Sequence, residues 1–363
     1  MRTLLKLSLS FAAVLLLAVP AATGTAPGGR VKQTHDPITT LAIDSARIAY
    51  ASGGKVYVLN VRTGATTLMQ GSYNRHTAEV AIAGKHVAWI TRYAVGNSEQ
   101  TSESLFTGSL TTRGRLLASG RRSAILSDGV PVAWQGRWIT GAVGAGNTLA
   151  VSTWWSAKDG TCTAQRLSMI LPDGLHQIAT GPGAIVAASA IGGNAGHAYV
   201  AVLRSTEMWP DARPPTPAVT VGIYVADSGR LVREITPSSA RQIALTKTEL
   251  VVLTEKKTLE VYDWRKSGAL LHTWPVQTTE PKQAAHLTAA GQLAVYAAGP
   301  GTRKLHVIGL ATGKDVVLAT GNGAGYYARD AAMSPYGLAY AINYRDHGKL
   351  VFVPMAKLVA KVS

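Results

Sequence analysis

The chain has 363 residues, of which 47% are hydrophobic and only 15% charged, a composition that excludes an intrinsically disordered protein. Its formal net charge of +16 favours anionic partners such as wall polymers, lipid headgroups, acidic glycans or nucleic acid. The basic residues are scattered, with Arg121 and Arg122 the densest pair, so no run is typical of a nucleic-acid-binding arm. A general bias towards basic exported proteins explains the charge as well as a specific polyanion site does.

The N-terminus reads as a targeting segment. Arg2 and Lys6 flank the start of an apolar run over residues 7–22, and small residues follow it, which is the pattern of a secretory signal peptide. A retained signal anchor is the alternative, but the run is short for a spanning helix and Pro20 interrupts it. We therefore predict a signal peptide over 1–25, a short linker over 26–34 and one domain over 35–363.

This reading predicts a secreted or extracytoplasmic protein. No cysteine lies near the cleavage region, so a lipoprotein anchor is not expected, and no later segment is long and apolar enough to span a membrane. Cys162 is the only cysteine, which excludes an internal disulfide. We expect a buried, inert thiol there, since a reactive one needs exposure and basic neighbours.

A strand–turn–strand phrase then recurs along the chain. It reads KVYVLNVRTGATTL at 55–68 and KLHVIGLATGKDVV at 304–317, and similar phrases begin near 103, 164, 222 and 258. Apolar and polar residues alternate on both sides of a glycine, which predicts β-hairpins. The turn glycines recur every 40 to 60 residues or so, at Gly64, Gly114, Gly174, Gly229, Gly268 and Gly313. Such spacing is typical of propeller blades.

A second phrase precedes each hairpin: a short strand, a turn and an apolar strand, as in ITTLAIDSARIAYAS at 38–52. Each unit is thus four strands, and seven units fit the chain, which predicts an all-β propeller of seven four-stranded blades. Six or eight blades and a pair of β-sandwiches are the alternatives. The stretch 119–136 reads as a long connection or a decayed strand, and 349–362 reads as strands without a turn glycine. No helix is predicted beyond the signal segment.

The phrases YVLNVRTGATTL, IYVADSGRLV and VIGLATGKDVVL resemble the superfamily of TolB-like, YVTN-type and quinoprotein-like β-propellers. The resemblance covers nearly the whole mature chain, but it specifies an outer hairpin rather than a chemistry. Quinoprotein blades carry an Asp where this chain has Gly309, and no Trp follows at their spacing, so a quinone cofactor is not expected. Sialidase-type Asp boxes and WD-repeat signatures are also absent from the sequence.

In such propellers, the loops between second and third strands share one rim with the connections between blades. The long and unusual segments of this chain fall on that rim, so we expect binding there. The candidate binding residues are Trp154, Trp155, Asp159, Trp209, Asp211, Arg213, Tyr326, Tyr327 and Arg329. The tryptophans and tyrosines could stack on a ligand or pack between blades, and the Pro-rich loop around Trp209 could present a partner site or be a rigid surface loop.

Signals for catalysis are weak. No two histidines stand at metal-site spacing, and no nucleophile elbow or phosphate loop is present in the sequence. Glu99, Glu103, Asp159 and Asp211 could converge as a Ca²⁺ or general-base cluster. We predict a monomer without metal or cofactor that binds a protein or envelope glycan. A propeller hydrolase, lyase or lactonase is the main alternative, and electrostatic association with an anionic polymer is the third.

Overall fold

The computed structural model describes residues 30–69, 76–95, 100–127, 130–157, 162–181, 188–192, 198–205, 219–277, 287–298, 304–320 and 326–363. These residues form strands almost throughout. The strands are β1 (Arg30–Thr34), β2 (Ile38–Asp44), β3 (Arg47–Ser52), β4 (Lys55–Asn60), β5 (Thr66–Leu68), β6 (Thr77–Ala83), β7 (His86–Val95), β8 (Gln100–Ser109), β9 (Arg115–Ser127), β10 (Val130–Ala145), β11 (Thr148–Ser156), β12 (Cys162–Leu171), β13 (Gly174–Gly181) and β14 (Ala188–Gly192). They continue as β15 (Ala198–Ser205), β16 (Val219–Val225), β17 (Leu231–Ile235), β18 (Ala240–Leu245), β19 (Glu249–Thr254), β20 (Thr258–Asp263), β21 (Leu270–Pro275), β22 (Thr288–Ala290), β23 (Leu293–Ala298), β24 (Lys304–Gly309), β25 (Asp315–Thr320), β26 (Tyr326–Ser334), β27 (Gly337–Asn343) and β28 (Gly348–Pro354), followed by helix α1 (Met355–Val362).

Neighbouring strands pair antiparallel in chain order. Within the described ranges, β2–β5, β14–β17, β18–β21 and β22–β25 each form a four-stranded sheet. Strands β6–β13 form one eight-stranded sheet, which we call the fused sheet, and the last sheet has the order β1-β28-β27-β26. The second strands are buried along most of their length, as their continuous apolar sequences predict. Four-stranded units in chain order confirm the predicted hairpins.

The sheets stack face to face through apolar side chains. Tyr199 and Ile223 of one sheet pack with Leu250 and Trp264 of the next, and the other neighbouring sheets share comparable clusters. The first strands of successive sheets contact one another, so β2 lies against β6 on one side and β26 on the other. A sheet that is apolar on both faces needs a neighbour on each side, which is the packing of a β-propeller.

The last sheet is completed by the start of the described chain. Strand β1 pairs with β28 from Arg30↔Phe352 to Thr34↔Gly348, so part of the expected linker is a strand. Beside it, the Asn343 amide binds both backbone groups of Ile38: the Ile38 N–H donates to Asn343 Oδ1 at 2.8 Å, and Asn343 Nδ2 donates to the Ile38 carbonyl at 2.7 Å. This joins the last sheet to the first.

Two segments differ from their sequence-based interpretation. The C-terminal residues predicted as strand include helix α1, whose Leu358 and Val362 are buried one helical turn apart against the last two sheets. The stretch 119–136, which reads as a long connection or a decayed strand, belongs over its described residues to the regular antiparallel strands β9 and β10. The C-terminal prediction was wrong because the last two sheets bury Leu358 and Val362, whereas β9 and β10 pair as neighbours in the chain.

The predicted turn glycines include positions that need a positive φ. Gly313 has φ +67°, and a Cβ on it would lie within 2.4 to 2.7 Å of the Trp274 ring. Trp274 in turn donates from Nε1 to the Leu310 carbonyl at 2.9 Å, so one sheet's outer strand covers the next sheet's hairpin turn. Glycine is required at this position both for the turn and for the close approach of the indole.

Candidate functional site

The structure describes only some of the predicted binding residues. Four of them lie outside the described residues: Asp159, Trp209, Asp211 and Arg213. Tyr326, Tyr327 and Arg329 lie in β26, where the register pairs Tyr326 with Asn343, but their side chains are outside the description. The same holds for the side chain of Trp154, which pairs in register with Trp138. Trp155 is therefore the one predicted residue whose side-chain surroundings can be given.

Topology places these positions at corresponding ends of their sheets. Trp155 lies at the end of β11, a second strand, and the Trp209 segment joins the second and third strands of the next sheet, β15 and β16. Tyr326 begins β26, a first strand, which starts at the same end. β11 and β26 nevertheless belong to different sheets, so Trp155 and Tyr326 belong to separate parts of this rim.

The strands around Trp155 are unusually long. Strands β7 to β12 have 9 to 16 residues, whereas β19, β20, β23 and β24 have 6 each. The extra length extends the fused sheet at the end where second and third strands are joined. There β9 pairs with β10 from Val130↔Ser127 to Gly136↔Arg122. The extension gives this part of the rim a continuous β surface.

A glycine allows the two halves of the fused sheet to meet. Gly136 has φ +115°, and a Cβ on it would lie 2.2 Å from the Arg121 carbonyl oxygen. Gly120 is equally restricted, because its Cβ would lie 2.7 Å from the Arg137 carbonyl oxygen. Both contacts are with backbone, which cannot yield as a flexible side chain can, so any larger residue would separate β9 from β10.

Trp155 lies beside two guanidinium groups. Arg137 is its direct cross-strand neighbour on β10, and its Cζ lies 5.2 Å from the centre of the Trp155 ring system. Arg166 on β12 is a diagonal neighbour, with its Cζ at 4.8 Å from the same centre. Both distances lie within cation–π range, so the indole holds two like charges close together. A similar contact joins Arg122 to Trp138 at 5.0 Å.

Within the described residues, the charges of Arg137 and Arg166 have no acidic partner. Partial burial, and then the neighbouring Arg166 charge, lower the pKa of the Arg137 guanidinium below its usual value. The Arg137 Nε is buried and has no hydrogen-bond acceptor. Among the residues that the structure describes, no carboxylate pairs with Arg137 or Arg166. The described part of the protein thus supplies no anion to this arrangement.

Glu103, a carboxylate on β8, is already engaged. Glu103 is fully buried, and its Oε1 accepts from Arg92 Nε at 2.8 Å. Its Oε2 accepts from the Ile139 N–H at 2.6 Å, and Arg92 Nη2 donates to the Ile139 carbonyl at 2.9 Å. This ion pair fastens β10 to β7 and β8. The predicted acidic cluster therefore loses Glu103 to a structural role, while Glu99, Asp159 and Asp211 lie outside the described residues.

A second group of titratable side chains lies within a sheet. His306 Nδ1 is 3.0 Å from Asp315 Oδ1, the Tyr296 hydroxyl donates to the other carboxylate oxygen, and the Tyr296 and His306 rings stack at 5.0 Å. Burial, and then the Asp315 carboxylate, raise the pKa of Tyr296. All three residues are largely buried, so the group cross-links β23, β24 and the start of β25.

Sequence reasoning found Trp155 but missed both arginines that contact it. Arg137 and Arg166 stand alone in GRWIT and AQRLS, without the clustering that marks a basic site in a sequence. Their proximity depends on the register of β10, β11 and β12.

The described part of the chain contains no cluster of His, Cys, Asp or Glu suited to a metal. No helix in that part has the length and apolarity to cross a membrane.

Comparison with known proteins gives structural neighbours only. No family model matches the chain, and no curated protein matches it. Among solved structures, the computationally designed Ika8 protein is similar at 14% identity and a TM-score of 0.48. The match covers 90% of this chain and 98% of the Ika8 chain. BamB from Moraxella catarrhalis is similar at 13% identity and a TM-score of 0.47. The match covers 88% of this chain and 86% of the BamB chain. Neither likeness carries a functional argument at these scores.

Proposed function

We propose that this chain is an exported, monomeric β-propeller of seven blades, of the TolB-like, YVTN-type or quinoprotein-like kind. We propose further that it binds a protein or cell-envelope ligand, without catalysis, on the rim where the fused sheet is extended. The observation that carries the binding proposal is the extended surface of β7–β12, which places Trp155 beside two arginines that lack a described acidic partner.

The blade count rests on how the sheets divide and join. If the fused sheet counts as two blades, β6–β9 and β10–β13, the chain has seven four-stranded units, the last completed by β1. Ring closure is supported by the cluster that packs Ile48 and Tyr50 against Ala341 and Phe352, and by the Asn343 amide on Ile38. Each blade then has a neighbour on both faces.

Export rests on the N-terminal sequence. Cleavage near residue 25 would leave β1, which begins at Arg30, intact for pairing with β28. The mature chain would keep its strongly basic character, which favours retention near anionic envelope surfaces. N-terminal sequencing of the exported protein tests this directly, and a start beyond residue 34 would contradict the assignment of β1 to the last blade.

The engagement of Glu103 weakens the case for an enzyme. A general base or metal ligand needs a carboxylate that can reach a substrate or an ion. Glu103 is instead fully buried, and its two carboxylate oxygens accept hydrogen bonds from Arg92 and from the Ile139 N–H. A binding function uses what the rim presents, which is exposed Tyr93 and Arg166 with half-buried Trp155 and Arg137.

Site-specific photo-crosslinking tests the binding rim. A photoreactive phenylalanine is placed at Tyr93, 50% exposed at the extended end of β7, and at Leu116, 55% exposed near the start of β9 at the other end of the sheet. We expect a discrete adduct from the producing cells' envelope at Tyr93 and none at Leu116. Equal labelling at both positions, or none at Tyr93, would refute the proposed binding rim.

A further inference from the structure

The surroundings of Trp155 have the composition of an anion site. Arg137 and Arg166 approach the same indole at 5.2 and 4.8 Å, and no carboxylate of the described residues pairs with either guanidinium group. The Arg166 charge, after partial burial, helps lower the pKa of Arg137, so the two like charges repel each other across the Trp155 indole. The protein tolerates an arrangement that a bound anion would stabilise.

We propose that Arg137 and Arg166 bind a terminal phosphate group, a phosphomonoester dianion, at the rim of the fused sheet. This deepens the proposed function, on which it rests, by naming the chemistry that the rim recognises. Arg166 is exposed and can meet a ligand from solvent, whereas Arg137 is half-buried and brings a buried Nε without an acceptor. Trp155 acts as the support that orients both guanidinium groups.

A phosphate fits this pair better than a carboxylate does. Two guanidinium groups carry two positive charges and present two planar forks of N–H donors. A phosphomonoester carries about −1.5 to −2 charges at neutral pH and three acceptor oxygens, so it has the charge and the acceptors that two forks require. A carboxylate carries one charge and has one planar edge, which satisfies a single fork and leaves the second arginine unmatched.

Among the described residues, Glu103 and Arg122 do not compete for this role. Glu103, two strands away from Arg137 on β8, is neutralised by Arg92 and by the Ile139 N–H. Arg122 lies over Trp138 rather than over Trp155. Arg92 is neutralised in the same ion pair and adds no net charge near the junction of β7 and β10. The local field therefore favours an anion arriving from the rim.

Calorimetric titration of the purified chain with inorganic phosphate tests the site. At constant ionic strength, we expect saturable binding of phosphate and none of acetate. The Arg166→Gln variant should bind phosphate at least tenfold more weakly, because it loses a charge-assisted pair. The control Arg230→Gln removes another exposed arginine, in the turn between β16 and β17, and should bind as the wild type does.

A second measurement needs no variant. Phosphate should raise the thermal unfolding midpoint of the wild-type chain in a saturable way, and acetate at the same ionic strength should not. The proposal is overturned if acetate matches phosphate in both measurements, if Arg166→Gln binds as the wild type does, or if Arg230→Gln loses as much affinity.

The source of the phosphate is distinguished by two further probes. A hexose phosphate represents a phosphorylated glycan, and vesicles of phosphatidylcholine with phosphatidic acid represent a lipid headgroup. A probe that binds the wild type, and that binds Arg166→Gln with at least tenfold lower affinity, identifies the class of molecule that supplies the phosphate. Failure of both probes together with inorganic phosphate overturns the site, while crosslinking at Tyr93 can still succeed, so the two proposals fail separately.

Discussion

Replacing Asn343 by alanine tests the join between the first and last sheets. The side-chain amide satisfies the N–H and the carbonyl of Ile38 at 2.8 and 2.7 Å. Ile38 is 1% exposed and Asn343 4% exposed, so neither backbone group can turn to bulk water when the amide is removed. The truncation leaves room for about one water molecule at most.

The magnitude follows from those two groups. Each buried backbone group left without a partner costs about 1–3 kcal/mol, so the pair costs ~2–6 kcal/mol before any relaxation. With partial relaxation we expect the free energy of unfolding to fall by about 3 kcal/mol. The entropy of unfolding, roughly 2 cal/mol/K per residue over about 330 folded residues, converts this into a fall of ~4 °C in the unfolding midpoint.

Urea and thermal unfolding, followed by tryptophan fluorescence, measure the effect. The matched control is Asn60→Ala, because Asn60 Oδ1 accepts from the Arg62 N–H at 2.9 Å in an exposed turn. Water can replace that bond, so the control should cost less than about 1 kcal/mol. If Asn343→Ala proves no more costly than Asn60→Ala, the amide does not hold the first and last sheets together and the reasoning fails.

Three further outcomes are expected. Glu103→Ala should lower the free energy of unfolding, measured by urea denaturation, by about 2–4 kcal/mol, because the Ile139 N–H loses its acceptor. A loss under about 1 kcal/mol would contradict this. Burial raises the pKa of Tyr340 to about 12, against an ordinary value near 10, so the stability it contributes is complete below pH 10 and should be lost between pH 10 and 12. Urea unfolding of Tyr340→Phe should show a smaller loss over that pH range, and a loss equal to that of the wild type would count against the reasoning. Leu358 is fully buried on α1, so Leu358→Ala should lower the free energy of unfolding by about 2–4 kcal/mol in the same urea assay. Val359 is 43% exposed, so Val359→Ala should lower it by less than about 0.5 kcal/mol. Equal losses would mean that α1 does not pack against the sheets.

The hairpins were predictable because their signal is local. In 55–68 the alternation of apolar residues on both sides of Gly64 needs no distant partner to be read, and the structure has β4 and β5 there, joined by Gly64 at φ +78°. The apolar second strands were equally clear, because β3, β19, β23 and β27 are buried as their composition indicates. The repeat of such units made face-to-face stacking of sheets the natural interpretation.

The candidate site was only partly predictable. The sequence marks Trp155 as a large aromatic at a strand end, and it marks that end of the sheet as the one with long segments. It does not show that Arg137 and Arg166 flank this indole, since that depends on which residues pair across three strands. Glu103 was misjudged for the same reason, because its partners Arg92 and Ile139 come from two other strands.

The sequence by itself determined the all-β character, the four-stranded units and the basic charge, because strand periodicity, turn residues and ionisable side chains act over a few positions. Only the tertiary structure decided that β1 completes the last sheet, that β9 and β10 join two units, and that residues 355–362 form a helix rather than a strand. The apolar pattern of that last segment suits either state, and the neighbours that bury Leu358 and Val362 settle the choice. Pairing between β1 and β28 joins residues some 320 positions apart, and no local pattern encodes a contact at that separation.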